Sequence, residues 1–164
     1  KVQQKAPAKP RHSSSGIIVE GLDNCMVKFS KCCTPVPGDP VVGFITRGYG
    51  VSVHRTDCPN ATPEKQQAEP GRWVQVSWVD SDQEYYQTSL EISAKDRDGL
   101  ALDVAMALST AKVKVSALSA RSMPDGYASV SVVLEVKDRE ELSSVINKLN
   151  NIQGVYQVVR ASGK

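Results

Sequence analysis

Aromatic residues, cysteines and long apolar runs are all scarce in this sequence. Phe, Trp and Tyr make up 5% of the 164 residues, and there are four cysteines. No stretch approaches the ~20 consecutive apolar residues of a membrane-spanning helix, and no apolar signal-peptide core follows the basic N-terminal residues. Four cysteines in a chain of this length do not suggest a disulfide scaffold. We therefore expect a cytoplasmic protein that does not contact membranes.

The sequence also lacks the usual residues of a catalytic site. It has two histidines, no glycine-rich phosphate-binding loop ending in lysine, and no pair of acidic residues in an evident cleft. We therefore expect this chain to bind other molecules rather than to catalyse a reaction. The rival interpretation is that the chain is an enzyme, which turnover by this chain alone would establish. Because the chain begins with Lys rather than Met, we also expect it to be part of a longer protein.

Neither part of the chain that we expect to fold has an excess of positive charge. The net charge is +2, yet residues 16–61 carry four acidic and four basic residues, and residues 84–164 carry ten of each. The excess lies in residues 1–15, which contain Lys and Arg but no acidic residue. Because nucleic-acid-binding domains are typically basic overall, any RNA contact here must depend on a few placed Lys and Arg residues.

The most informative residues that are present are three cysteines and one histidine. Cys32 and Cys33 are adjacent, twenty residues separate Cys33 from His54, and three separate His54 from Cys58. Three thiolates and one imidazole form the ligand set of a closed structural zinc site, although this spacing differs from the common zinc motifs. Two alternatives stay open: free cysteines in a reduced core, and a redox pair of Cys32 and Cys33, which disulfide geometry disfavours. We interpret Cys25 as an ordinary half-buried thiol.

Composition divides the chain into four parts. Residues 1–15 are rich in Pro, Ser, Lys and Gln and are expected to form a disordered linker. Residues 16–70 are expected to form a small β-rich module around the cysteines, and residues 71–83 a connecting strand that could belong to either neighbour. Residues 84–164 are expected to form the second folded unit.

Short apolar, β-branched segments predict the strands of the first unit; they are residues 17–19, 26–29, 41–46 and 51–54. Residues 47–50 predict a tight hairpin turn, and an antiparallel pairing of the last two strands would bring the four metal-ligand candidates together. No helix is evident, although residues 58–62 could begin one. Residues 73–79 alternate between apolar and polar as one strand would.

The second unit shows the order βαββαβ. Strands are predicted at residues 86–94, 113–121, 127–136 and 155–160, and helices at residues 100–111 and after Asp138. Asp98 is a candidate N-cap of the first helix, and Asp138 with Glu141 resembles a capping box at the second. This order predicts a ferredoxin-like antiparallel sheet with both helices on one face, so the fold class is α+β.

Two stretches resemble a known family. The stretch KCCTPVPGDPVVGFITRGYGVSVHRTDCPN resembles the conserved-cysteine, zinc-finger-like module in the C-terminal region of long RelA/SpoT-type (p)ppGpp synthetases/hydrolases. Residues 86–160, with DRDGL after the first strand and IQGVYQVVR at the end, resemble the ACT domain that follows that module. The first motif is specific, whereas ACT-like units occur in many regulators.

The resemblance implies a regulatory fragment of a stringent-response enzyme of the GTP pyrophosphokinase family. Such a fragment would bind the ribosome and uncharged tRNA and relay amino-acid starvation to hydrolase and synthetase domains N-terminal to it. The positions that match the family's proposed metal ligands are Cys32, Cys33, His54 and Cys58, so zinc is the implied cofactor. Ribosomal RNA contact would fall on four cations: Lys28, Lys31, Arg47 and Arg55.

A second functional interpretation is a sensor of amino acids. In ACT domains an amino acid often binds near the first strand-to-helix loop, between paired domains. The matching loop here comprises Asp96, Arg97, Asp98, Gly99 and Leu100, where the glycine would let backbone amides approach a carboxylate. The alternative is that Gly99 only permits the turn. Branched-chain amino acids are the ligands to test first, and an exposed sheet edge makes a homodimer plausible.

Overall fold

A computed structural model describes residues 13–22, 25–48, 50–81 and 83–160 of the chain. Residues 1–12 of the expected linker lie outside the described residues. The end of that segment is described, and there the Ser13 N–H donates a hydrogen bond to the carbonyl oxygen of Asp80 at 3.0 Å. Among the described residues, no helix combines the length and the apolarity needed to cross a membrane.

The first unit contains six short strands and one short helix: β1 (Ile17–Val19), β2 (Val27–Phe29), β3 (Val41–Thr46), β4 (Gly50–Arg55), α1 (Pro63–Ala68), β5 (Trp73–Val74) and β6 (Val76–Trp78). One sheet has the order β2-β4-β3-β5, and β1 pairs with β6 in a separate ladder. The predicted antiparallel pairing of β3 with β4 is confirmed, since Val42 lies opposite His54.

Two local predictions for the first unit differ from the structure. The helix begins at Pro63 rather than within residues 58–62, because the Thr62 hydroxyl caps it by accepting from the Lys65 N–H, and proline is favourable at a first helical position. Residues 73–79 form two strands, β5 and β6, which pair with β3 and β1 respectively. Both strands of the expected connector therefore pair within the first unit.

The second unit has the predicted order βαββαβ: β7 (Tyr86–Lys95), α2 (Leu100–Thr110), β8 (Lys114–Met123), β9 (Tyr127–Val136), α3 (Arg139–Asn150) and β10 (Val155–Arg160). Its antiparallel sheet has the order β10-β7-β9-β8. The two helices bury residues at helical spacing; these are Leu100, Val104 and Leu108 of α2, and Leu142, Val145 and Leu149 of α3. They pack with the alternate residues of β7 and β9 into one core, which confirms the ferredoxin-like α+β fold.

The two helices of the second unit begin differently. Asp138 caps α3, because its carboxylate accepts from the Glu141 N–H at 2.9 Å, as the sequence predicts. The expected N-cap of α2 at Asp98 is wrong. Gly99 occupies that position with φ of 77° and gives no side-chain cap, because the left-handed turn before the helix favours a residue without Cβ.

A buried ion pair joins the two units. The loop between Cys33 and β3 carries Asp39, whose side chain is 3% exposed, and Arg160 at the end of β10 is 11% exposed. The Arg160 Nη1 donates to both carboxylate oxygens of Asp39 at 2.8 and 2.7 Å, and its Nη2 donates to the Thr34 carbonyl at 2.7 Å. Val36 of the same loop is fully buried in the core of the second unit. The two units therefore share both polar and apolar contacts.

The substitution Asp39→Asn removes the negative charge and leaves the Arg160 guanidinium buried without its counterion. We expect the free energy of unfolding to fall by about 3 kcal/mol, measured by urea denaturation. As a matched control, Lys114→Gln removes an exposed charge that lies 3.7 Å from Glu135, and we expect a change within about 0.5 kcal/mol. Equal effects of the two substitutions would mean that the buried pair contributes no more than a surface pair.

Candidate metal centre

Three strands bring the four candidate ligands to one end of the first sheet. β2 runs parallel to β4, with Phe29 opposite Val53, so the chain leaves both strands at the same end. Cys32 and Cys33 follow β2, and His54 lies near the end of β4. Cys58 lies in the turn that follows β4, where its N–H donates a hydrogen bond to the Arg55 carbonyl. The sequence predicted the antiparallel pairing of β3 with β4, whereas the parallel pairing of β2 with β4 is known only from the structure.

The ligand atoms form one compact cluster. The Cys32 sulfur lies 4.0 Å from the Cys33 sulfur, 3.5 Å from the Cys58 sulfur and 3.3 Å from the His54 Nδ1. The Cys33 sulfur lies 3.9 Å from the same nitrogen, and all four ligand atoms lie within 4.8 Å of one another. The four side chains are thus already gathered around one point.

These distances suit a tetrahedral zinc ion. Zinc–sulfur bonds of about 2.3 Å and zinc–nitrogen bonds of about 2.0 Å place the ligand atoms of a tetrahedron roughly 3.5–3.8 Å apart. The three distances from the Cys32 sulfur to the other ligand atoms fall near that range. A Cys₃His set leaves no position for water, so a bound zinc ion would supply a structural cross-link. The residues present therefore fit zinc.

Backbone amides support the sulfur atoms as anions. The Arg55 N–H donates to the Cys33 sulfur at 3.3 Å, and the Asn60 N–H donates to the Cys58 sulfur at 3.4 Å. A hydrogen bond to the charged form of a group favours that form. Cys33 and Cys58 are 0% and 1% exposed, so these donors supply hydrogen bonds to the sulfurs that water does not reach. The arrangement suits thiolates bound to a cation.

Without a cation, burial favours the uncharged forms of Cys33, Cys58 and His54. Burial raises the pKa of the Cys33 thiol from 9.0 to about 12, against the opposing effect of the Arg55 N–H. Burial also raises the pKa of Cys58 and lowers the pKa of His54. At neutral pH the imidazole is therefore neutral and able to donate its lone pair, whereas the buried thiols must release protons to a bound metal. Metal affinity should consequently fall as the pH is lowered.

An aromatic pair lies beside the metal centre. The rings of Phe44 and Trp73 lie 4.8 Å apart, and the His54 ring lies 6.0 Å from Trp73. The Arg72 guanidinium covers Phe44 at 4.3 Å from the ring centroid. The sequence shows no aromatic stripe in this unit, because Phe44 and Trp73 belong to β3 and β5, which are distant in sequence and pair only in the fold.

The four cations predicted to contact RNA are in different environments. Lys28, Lys31 and Arg47 are exposed. The Arg55 side chain is only 12% exposed, and its Nε lies 3.4 Å from an Asp57 carboxylate oxygen. Arg55 is therefore largely buried, whereas the other three cations are exposed to solvent.

The five residues predicted to bind an amino acid line one cavity. It has a volume of about 290 Å³ and includes the whole segment Asp96 to Leu100. The Arg97 guanidinium is held by the Gln153 carbonyl at 3.0 Å and by the Asp103 carboxylate at 2.6 Å. The Ser122 hydroxyl donates to Asp96 at 2.9 Å. Hydrogen bonds with Gln153, Asp103 and Ser122 thus hold this loop in place.

We expect the chain purified under reducing conditions to contain about one zinc ion, since four preassembled ligands close the coordination sphere. His54→Ala should lower the zinc content to below about 0.2 per chain by removing one ligand, as measured by elemental analysis. Cys25→Ser is the matched control and should keep the metal, because Cys25 is outside the cluster. A zinc content below about 0.2 in the unaltered chain, or equal contents in unaltered chain and His54→Ala, would contradict the assignment.

Curated relatives resemble this chain over most of its length. The bifunctional (p)ppGpp synthase/hydrolase RelA of Mycobacterium tuberculosis is 40% identical over 157 residues, which is 95% of this chain and 21% of that protein. The GTP pyrophosphokinase of Escherichia coli K12 is 34% identical, over 99% of this chain and 22% of that protein. The chain spans about a fifth of the length of these relatives.

Among solved structures, the ACT domain from the GTP pyrophosphokinase of Chlorobium tepidum matches 45% of this chain and 95% of that chain, with 22% identity and a TM-score of 0.41. Family models match both units of the chain itself. The RelA/SpoT RIS domain matches residues 17–79 and the ACT domain matches residues 82–160. This region is thus the regulatory part of such proteins rather than their catalytic part. The chain belongs to the RelA/SpoT family, as an RIS domain followed by an ACT domain.

Proposed function

We propose that this chain is the C-terminal regulatory region of a cytoplasmic (p)ppGpp synthetase/hydrolase. In this proposal the RIS domain binds ribosomal RNA and uncharged tRNA, and the region relays amino-acid starvation to catalytic domains elsewhere in the parent protein. The observation that carries the proposal is the pair of matched domains, RIS followed by ACT, in relatives named for (p)ppGpp synthesis and hydrolysis. Zinc bound by the Cys₃His cluster would brace the RNA-binding surface.

A mixed row of residues on the first sheet supports RNA contact. Strand register aligns Lys28 with Ser52, Ser52 with Phe44, and Phe44 with Trp73. Directly paired residues lie on the same face of a sheet, and this face is opposite to the buried Val51 and Val53. We call Lys28, Ser52, Phe44 and Trp73 the outer row. It combines a cation with an aromatic pair, and cations with aromatic surfaces are the groups that bind phosphates and bases.

The proposed relay is supported by the contact between the domains. The metal-ligand pair Cys32 and Cys33 is followed directly by Thr34, whose hydroxyl lies 2.9 Å from that of Thr88 on β7 and whose carbonyl accepts from Arg160. The Arg139 N–H at the start of α3 donates to the Pro37 carbonyl at 2.8 Å. A shift at the metal-bound loop would thus act directly on the ACT domain.

A triple substitution of Lys28→Gln, Lys31→Gln and Arg47→Gln should weaken binding of deacylated tRNA or a ribosomal RNA fragment. Each lost phosphate contact reduces the salt slope of binding by about one, so the slope should fall by up to about three when anisotropy is measured across salt concentrations. Lys148→Gln, on the exposed side of α3, is the control and should leave binding unchanged. Binding that is absent from the unaltered chain, or unchanged in the triple variant, would count against the RNA proposal.

A second candidate function is the sensing of branched-chain amino acids by the ACT domain. The cavity beside Asp96 to Leu100 favours it, because α2 begins there without a side-chain cap. Helix N-termini present unpaired N–H groups that can bind a carboxylate. In this proposal amino-acid binding, within a homodimer, is the regulatory signal and RNA contact is secondary.

Calorimetric titration with valine, isoleucine and leucine tests the sensor. Gly99→Ala should reduce any binding, because Gly99 lines the cavity with φ of 77°, and a residue with Cβ at that φ would strain the loop. Gly71→Ala is the control: Gly71 has φ of 85°, so the backbone strain is similar, but it lies in the first unit and does not line the cavity. The absence of heat with all three amino acids would exclude this function.

A further inference from the structure

A second cavity lies between the two domains, and its lining includes residues 55–57 but none of the four candidate metal ligands. Its volume is about 260 Å³, and it is bounded by the end of β4, the loop before β3, the first turns of α3 and the end of β10. This volume lies below the roughly 300 Å³ at which sites for drug-sized ligands begin. The cavity therefore suits a small ligand.

The charged groups of this cavity do not balance. Its lining includes three guanidinium groups, from Arg55, Arg139 and Arg160, and two carboxylates, from Asp39 and Asp57. The Asp57 side chain is 73% exposed, so water screens its charge, whereas Asp39 is 3% exposed. Three cations from three separate elements thus meet one buried and one exposed carboxylate, and one of the cations, Arg139, is itself 57% exposed.

The single buried carboxylate is already engaged. Both oxygens of Asp39 accept from the Arg160 Nη1, and one of them also accepts from the Val36 N–H. Arg139 reaches the same carboxylate only at 3.8 Å, and its side chain is 57% exposed. Arg139 can therefore turn toward a ligand without losing a close hydrogen bond to Asp39.

Two buried donors in the lining have no hydrogen-bond partner among the described residues. They are the Nε atoms of Arg55 and Arg160. Arg55 Nε lies 3.4 Å from Asp57, but this contact is a charge contact without hydrogen-bond alignment. Burial lowers the pKa of Arg160 and the nearby positive charge of Arg55 lowers it further, while Asp39 opposes the shift. An unpaired buried donor is costly, so each of these two guanidinium groups has hydrogen-bonding capacity that no described residue uses.

We propose that the cavity between the RIS and ACT domains binds a small phosphate-class oxyanion, held by Arg55, Arg139 and Arg160. Guanidinium groups match phosphate geometry through paired N–H donors, and the Ser143 hydroxyl of α3 lines the same cavity. The ligand contacts both domains, so its binding stabilises their observed arrangement. This site is separate from the outer row and from the amino-acid cavity.

Calorimetric titration of the 164-residue chain with inorganic phosphate, at ionic strength held constant with sodium chloride, tests the proposal. Pyrophosphate and AMP are titrated in parallel, since tighter binding of AMP than of phosphate would identify a nucleotide as the source of the phosphate group. In nitrogen-15 NMR spectra, the Nε–H resonances of Arg55 and Arg160 should shift as phosphate is added.

Arg139→Gln should weaken phosphate binding about tenfold, because a charged hydrogen bond contributes at least about 1.4 kcal/mol. Its partly exposed side chain makes the substitution compatible with folding. Arg121→Gln is the matched control. Arg121 is exposed on β8, and it lines the amino-acid cavity but not the cavity between the domains. The proposal is overturned if phosphate gives no response, if Arg139→Gln binds as well as the unaltered chain, or if Arg121→Gln instead loses the response.

Discussion

The contact between Asp39 and Arg160 is the interaction on which the arrangement of the two domains depends. Removing both groups from water is unfavourable unless each charge and donor is paired. Asp39 is paired by Arg160 and by the Val36 N–H, and the Asp39 carbonyl accepts from the Trp78 Nε1 at 2.9 Å. The same loop is thus fixed by the ACT domain through Arg160 and by the last strand of the RIS domain through Trp78.

This loop also explains how the side chains of adjacent cysteines can both belong to one candidate metal centre. Thr34, directly after Cys33, has φ of 44°, a left-handed conformation that costs a threonine energy. Its hydroxyl and carbonyl are held by Thr88 and Arg160 of the ACT domain. The sharp bend after the cysteine pair is therefore stabilised from outside the RIS domain, and metal-centre geometry and domain contact are properties of one segment.

Much of the fold follows from local sequence patterns. The β7 strand alternates buried and exposed residues as a half-buried strand must, and α3 has both the cap at Asp138 and a buried stripe. Prediction failed where a partner distant in sequence decides the outcome. The alternating pattern of residues 73–79 predicted one strand, yet the segment forms two, of which β5 pairs with β3 and β6 pairs with β1. The failure at the start of α2 was local: Asp98 is a favourable N-cap residue by type, but the left-handed turn places Gly99 at that position.

The sequence by itself indicated the candidate ligand set, because three thiols and an imidazole are a donor set that zinc binds. Only the tertiary structure decided that their atoms converge within 4.8 Å, since this depends on the parallel contact of β2 with β4. It also decided that Arg55, which the sequence predicted to contact RNA, is largely buried and lines one cavity with Arg160. Residue type fixes which chemistry is available locally, whereas long-range strand pairing and burial fix which groups meet and which are removed from water.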